Sequence, residues 1–317
     1  MGDDRGDVAF PDGPEAVESA EYGSNRETAM TVPCLAPKAD LAPPRFEMPA
    51  GATDTHSHVI GLPPEYPFVP ERSYTPPETP LAAYKAMHRA LGIERAVIVT
   101  PSVHGTNNRI TVESIAGYGP QARGIAVVDP GISDIELNEL LYGGIRGIRL
   151  NVLFGGGVGL QAFEALAPRI RPLGWHIQLL LDVSRDMVAM APIIRAGGIP
   201  VVVDHMGHMP VEKGLDDPGF RMLLELARNG LAWAKLSGNY RISTRRPHFE
   251  DAIPFAQALI DACPQNMVWG TDWPHVAMTE EMPDTTDLLN ALDDYAPDPA
   301  MKRRILVENP AALYGFT

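Results

Sequence analysis

Only two cysteines, Cys34 and Cys263, occur among the 317 residues. A disulfide framework is not indicated, and without a CxxC pair neither thiolate zinc binding nor dithiol redox chemistry is expected. Positive charge is also scarce: 26 Lys plus Arg stand against 40 Asp plus Glu, a formal net charge of −14. Nucleic acid and anionic membranes are bound through basic patches, so neither is an expected partner. The same acidity repels small anions at long range, so an acidic substrate would need arginines inside its pocket. No run approaches the roughly 18 unbroken apolar residues of a membrane span. The opening MGDDRGD has neither the basic nor the apolar region of a secretory signal, and a soluble cytoplasmic protein is expected. No GxSxG elbow is present, which argues against a serine nucleophile at Ser57 or Ser102.

What is present is 45% hydrophobic residues, arranged in a repeating order from residue 50 onward. Residues 1–48 differ: they are acidic, rich in Gly and Pro, and carry no sustained apolar period, so they read as an N-terminal extension, a flexible arm. Over residues 49–317, eight apolar runs alternate with amphipathic helical stretches, the runs falling at 52–56, 95–100, 123–129, 146–151, 176–182, 199–205, 231–238 and 267–273. Apolar strands alternating with helices imply a parallel sheet covered on both faces, and eight such units imply an α/β fold closed as a (β/α)8 TIM barrel. An open doubly wound sheet is the alternative. It lacks the GxGxxG turn after its first strand, since GGGVG at 155–159 follows the fourth.

In a barrel, chemistry gathers at the C-terminal strand ends. Those ends here carry His56, Ser57 and His58; Ser102 and His104; Arg149 and Asn151; Asp182; Asp204 and His205; Lys235 and Ser237; and Asp272 with His275. Residues two apart on a strand share a face, so His56 and His58 can reach one atom, and a third histidine with a carboxylate completes a plausible divalent-metal set. An isolated HxH pair is a weak signal. Joined to DHMG at 204–207 and GTDWPH at 270–275 it becomes a functional one.

TDTHSHV, DHMG and WGTDWPH together resemble the amidohydrolase superfamily, in its amidohydrolase-related lactonase branch, and within that branch the 2-pyrone-4,6-dicarboxylate hydrolases. The similarity takes in PFVPERSYTP (67–76), HGTNNR (104–109), ARGIAVVDP (122–130), GIRGIRLN (144–151), LGWH (173–176) and the closing ENPAALYGF, nearly the whole barrel. The resemblance implies water attack on a lactone carbonyl with Asp272 as general base, and His56, His58 and His205 polarising the carbonyl or holding a metal that does so. It also implies substrate binding by Tyr74, Ser102, Arg149 and Arg241. The two arginines meet the requirement set by the acidic surface, because guanidinium suits a carboxylate.

Departures narrow the substrate. His208 stands where those hydrolases carry an arginine after DHMG, Gly155-Gly156-Gly157 replace a basic pair, and Leu180 replaces a tyrosine. Two lost cations argue against a dicarboxylate pyrone and for a lactone with one carboxylate or a bulkier neutral part; His208 becomes a candidate polar contact. Arg149 and Asn151 on the fourth strand and Asp182 on the fifth do not match a two-metal site. One divalent ion, zinc or manganese, held by His56, His58, His205 and Asp272, with Asp182 a further candidate, remains, as does metal-free catalysis aided by imidazolium or hydroxyl donors. The expected partner is a small anionic lactone, with a homo-oligomer an open prospect. Competing readings are a metal-dependent decarboxylase of aromatic or muconate acids and a lactone isomerase; HGTNNR and ERSYTP favour the lactonase. By position, His176 reads as packing, His88 on its helix as surface or core, Trp273 as a pocket wall, Asp204 as structural on the opposite strand face, His275 as support for Asp272, and Arg245 and Arg246 as loop residues.

Overall fold

A computed structural model describes residues 31–317. Its strands are β1 (Thr53–Ser57), β2 (Arg95–Val99), β3 (Ala122–Ala126), β4 (Ile145–Asn151), β5 (His176–Leu180), β6 (Val201–Val203), β7 (Ala232–Lys235) and β8 (Met267–Val268). Between and after them lie helices α1 (Leu81–Leu91), α2 (Arg109–Tyr118), α3 (Asp134–Tyr142), α4 (Phe163–Ile170), α5 (Val183–Gly197), α6 (Pro218–Arg228), α7 (Asn239–Ile242), α8 (Ile253–Ala262), α9 (Thr285–Tyr295), α10 (Pro299–Arg303) and α11 (Asn309–Tyr314). The strands pair in parallel in sequence order from β1 to β8. Each expected strand forms, giving the eight-stranded α/β barrel. None of the described helices is long and apolar enough to cross a membrane.

Apolar runs become strands here because both sheet faces are covered: Ala96 through Val99 and Val201 through Val203 are fully buried. The outer helices bury one stripe each. In α6, Asp217 caps the first turn through the Gly219 and Phe220 amides, and Phe220 and Leu223 are inaccessible. Each such side chain contributes about 1.5–3 kcal/mol relative to an exposed position. His176 is the packing residue that its place at a strand start implies, set edge-on to Tyr314 at 5.3 Å. His88 is buried too, between Tyr118 (2.8 Å) and Asp54 (3.2 Å).

The barrel closes between β8 and β1 through single contacts and not a continued ladder. Thr55 N–H donates to Trp269 O (3.0 Å), Asp272 N–H to His56 O (2.8 Å) and His58 N–H to Trp273 O (2.8 Å). Asp54 locks this seam from the far side of β1, accepting from the Thr271 amide (2.9 Å) and hydroxyl (2.6 Å).

Of the extension expected over 1–48, residues 1–30 lie outside the described residues. Residues 31–48 run along the barrel: Cys34 N–H donates to Thr75 O (2.9 Å), Leu35 N–H to Met278 O (2.8 Å), and Arg45 holds Asn290 and Asp294.

Candidate active site

β1 alternation delivers both histidines to one place, with His56 and His58 ring centroids 5.1 Å apart and the rings near perpendicular. His58 Nδ1 bonds the Val99 carbonyl at 2.7 Å, which fixes it as the N–H donor and leaves Nε2 with its lone pair toward the cluster. His205 arrives differently. The chain leaves β6 at Val203, and His205 takes a left-handed φ of 53°, turning its ring to 4.7 Å from that of His56. Its Nδ1 lies 3.1 Å from Ser237 Oγ.

Asp272 sits in a second left-handed turn, at φ 59°. Its two carboxylate oxygens have different surroundings. Oδ2 accepts from Tyr240 Oη and from Arg241 Nε, each at 2.6 Å. Oδ1 has no hydrogen-bond partner, nor has His56 Nε2, and these two buried atoms lie 3.7 Å apart. Burial would raise the Asp272 pKa, yet the Arg241 guanidinium holds it well below the carboxylate range. Burial disfavours the protonated form of all three histidines: it lowers His56, and lowers His58 and His205 well below 6.5.

Behind His56 stands a charged layer that sequence reasoning did not assign. Lys235, wholly buried at the end of β7, places Nζ 3.0 Å from His56 Nδ1 and 3.2 Å from Asp204 Oδ1, and donates to Gln178 Oε1 at 2.6 Å. Asp204 Oδ1 is also 3.2 Å from His56 Nδ1, and Oδ2 is 3.4 Å from Arg149 Nε. The expectation that Asp204 faces away from the site is therefore corrected. Strand alternation stops applying once the chain leaves β6, and it is His205 that turns. Gln178 did carry a legible signal, as a polar residue inside an apolar strand that needs a buried partner.

The substrate-binding candidates converge on the same mouth. Ser102 Oγ donates to Tyr74 Oη at 3.3 Å, and burial pushes the Tyr74 phenol up to about 12. Arg149 and Arg241 are buried and paired to Asp204 and Asp272. His208, also left-handed, places its ring 6.0 Å from His205 with Nε2 unpartnered. The Gly155–Gly157 run is a tight fit and not merely a loss of charge. A Cβ on Gly155 would stand 2.0 Å from Glu71 O, and one on Gly156, at φ 90°, 2.4 Å from Ser102 O. Gly155 N–H donates to Ser73 Oγ at 2.7 Å, seating this loop on the segment that carries Tyr74.

Three expectations are revised. Asp182 caps α5 by accepting from the Ser184 amide (2.9 Å) and hydroxyl (2.6 Å), which removes it from the ligand set. His275 bonds Thr285 Oγ1 at 2.9 Å through its ring and meets Asp272 only through its backbone amide. Trp273 faces Tyr84 at 5.5 Å and lines a cavity under residues 36–39, away from the cluster. Arg246 reaches Glu281 at the surface, as a loop residue would.

Burial pushes His176 down to about 3, and His208 and His275 to about 4. Below about 6.5 the unfolded chain protonates these groups while the folded chain does not, so stability is lost as pH falls from there toward about 4. Calorimetry is expected to give a lower Tm near pH 5 than near pH 7.5; equal values would mean that these imidazoles open to solvent.

Among the described residues, two sets of side chains are spaced to hold one ion: His56 with His58 and Asp272, and His56 with Asp204 and His205, the ligand atoms of each set lying within 4.8 Å of one another. The first contains the two orphaned atoms, His56 Nε2 and Asp272 Oδ1, whose unmet capacity a cation would satisfy. Lys235 beside His56 Nδ1 disfavours the second set by charge.

The Amidohydrolase family profile matches residues 53–316. The chain is 36% identical over 297 residues to a 4-sulfomuconolactone hydrolase of Hydrogenophaga intermedia, covering 92% of this chain and 98% of that one. It is 36% identical over 287 residues to a 2-pyrone-4,6-dicarboxylate hydrolase of Comamonas testosteroni, covering 87% and 94%. Among solved structures, an apo protein of Agrobacterium tumefaciens superposes with a TM-score of 0.82 at 29% identity, covering 88% of this chain and 99% of that one.

Proposed function

The chain belongs to the amidohydrolase family, and from that premise we propose an enzyme whose barrel, residues 49–317, opens a carboxylated lactone of pyrone or muconolactone type by water attack on the ring carbonyl. The observation that carries this reading is the asymmetry of Asp272. One oxygen is saturated by Tyr240 and Arg241, and the other has no hydrogen-bond partner and faces His56.

Asp272 Oδ1 accepts a proton from water as the water oxygen bonds to the lactone carbonyl carbon. Tyr240 and Arg241 fix the carboxylate so that only this oxygen is available. When the tetrahedral centre collapses, the ring C–O bond breaks, and the departing oxygen takes the proton back from Asp272. A carboxyl group whose pKa is held low returns a proton readily, which suits the second half of the reaction. Arg149 and Arg241 meet the substrate carboxylate, with Tyr74, Ser102 and His208 shaping the remaining contact. His56, His58 and Asp272, with His205 adjoining, would hold a divalent ion, zinc or manganese by ligand type, which when bound would supply Lewis acidity to the carbonyl oxygen; Asp272 Oδ1 has two lone pairs, so one would go to the ion and the other would stay free for the water proton.

Hydrolysis of a panel of carboxylated lactones, followed by acid release before and after chelation, tests this. Ring opening that stops on chelation and returns with zinc or manganese is the expected outcome. Opening that ignores the chelator leaves the lactonase and removes the ion. Carbon dioxide released from a muconate or aromatic acid, with every lactone untouched, overturns the proposal in favour of a decarboxylase.

A further inference from the structure

We propose that residues 31–35 form a wall of the substrate pocket and tension its two sides, making this strap a determinant of substrate affinity. The inference rests on the anion-binding reading of the barrel mouth given above. The sequence reads this segment as part of a flexible arm; its contacts point the other way.

The strap is fastened at both sides of the mouth. On one side Pro33 forms a parallel bridge with Thr75. Cys34 N–H donates to Thr75 O (2.9 Å), Thr75 N–H donates back to Val32 O (3.2 Å), and the Thr31 and Thr75 hydroxyls meet at 2.6 Å. Thr75 directly follows Tyr74, so these bonds fix the loop that presents the phenol. On the other side Leu35 N–H donates to Met278 O at 2.8 Å. Two residues before Met278, the Val276 carbonyl accepts from the Arg241 guanidinium at 3.2 Å. Five consecutive residues thus brace both a tyrosine and an arginine of the pocket.

Between the fastenings, the half-buried Cys34 side chain packs into the apolar cluster of Ile60, Tyr74, Val103 and Val276. It lies near enough to Arg241 for the guanidinium to oppose the rise that burial imposes on its thiol. An anion held by Arg241 against Tyr74 would therefore stand next to Cys34.

Two experiments on the full chain test this. Leu35→Pro deletes one backbone donor without altering a buried side chain, and Thr31→Val deletes the hydroxyl contact. Each is expected to raise KM for the lactone about three- to tenfold, the scale of one lost hydrogen bond, with kcat little changed. Arg45→Ala loosens the strap at its far end, where it meets α9, and is expected to leave KM unchanged. An unchanged KM in the first two, or an equal rise in all three, overturns the proposal. The second experiment does not depend on turnover. In a Cys263→Ser chain, alkylation of Cys34 by iodoacetamide is expected to slow in the presence of citrate, a carboxylate probe for the paired arginines. Alkylation that citrate leaves unchanged overturns the wall assignment, whatever reaction the enzyme proves to catalyse.

Discussion

Asp272→Asn is expected to lower kcat by about 10²–10⁴-fold, the range supplied by a positioned general base, in a protein with an unaltered circular dichroism spectrum. The amide keeps the shape of the carboxylate and can still accept from Tyr240 and Arg241, the partners of Oδ2. It cannot take a proton from water. Arg241 is left buried without its counter-charge, so some loss of stability accompanies the loss of turnover, and both are read from the same preparation. Stopped-flow or pH-stat turnover of the best lactone, with an unfolding curve beside it, separates the two effects. Wild-type turnover in the folded variant would remove Asp272 from the reaction and leave the histidines to carry it.

Lys235→Met carries the largest expected cost to stability. Methionine fills similar space, but it leaves the Asp204 carboxylate, wholly buried, with Arg149 at 3.4 Å as its remaining formal cation. Breaking a buried pair by removing one partner costs about 3–5 kcal/mol, because the other charge stays in a medium that solvates it poorly. The surviving arginine places the expectation toward the lower end. Urea unfolding measures it, and the Lys235→Met/Asp204→Asn double variant is expected to recover part of the loss, since it removes the stranded charge too. A single variant as stable as the parent would mean that Asp204 takes up a proton in its absence.

Much of this architecture is legible in the residue order, and the reason is the buried parallel sheet. A strand covered on both faces must be apolar along its length, so eight such runs announce themselves. Strand ends are less legible. The sixth run reads as 199–205, yet β6 is only Val201–Val203, and the eighth reads as 267–273, yet β8 is Met267–Val268. In both places the chain turns through left-handed conformations at non-glycine residues, His205, Met206 and Asp272. Such turns have no composition signal, because ordinary side chains are held there by tertiary contacts. That is why alternation misplaced Asp204, while the catalytic candidates themselves were found by type. Pairings between distant residues, Arg241 with Asp272 and Lys235 with Asp204, are invisible to local pattern. An arginine expected to be waiting for substrate is already bonded to the proposed base, so the proposed substrate contact and the positioning of the base fall on one side chain.

The seam between β8 and β1 gives the barrel an asymmetry with consequences for engineering. Seven junctions are strand ladders, and the eighth is a handful of single bonds that include the backbones of His56, His58 and Asp272. Gly270 presses against it so closely that a Cβ there would stand 2.5 Å from the His56 amide nitrogen. The stave that completes the cask is thus also the one that carries the tools. A graft into 269–275 would blunt the reaction and spring the hoop in a single step.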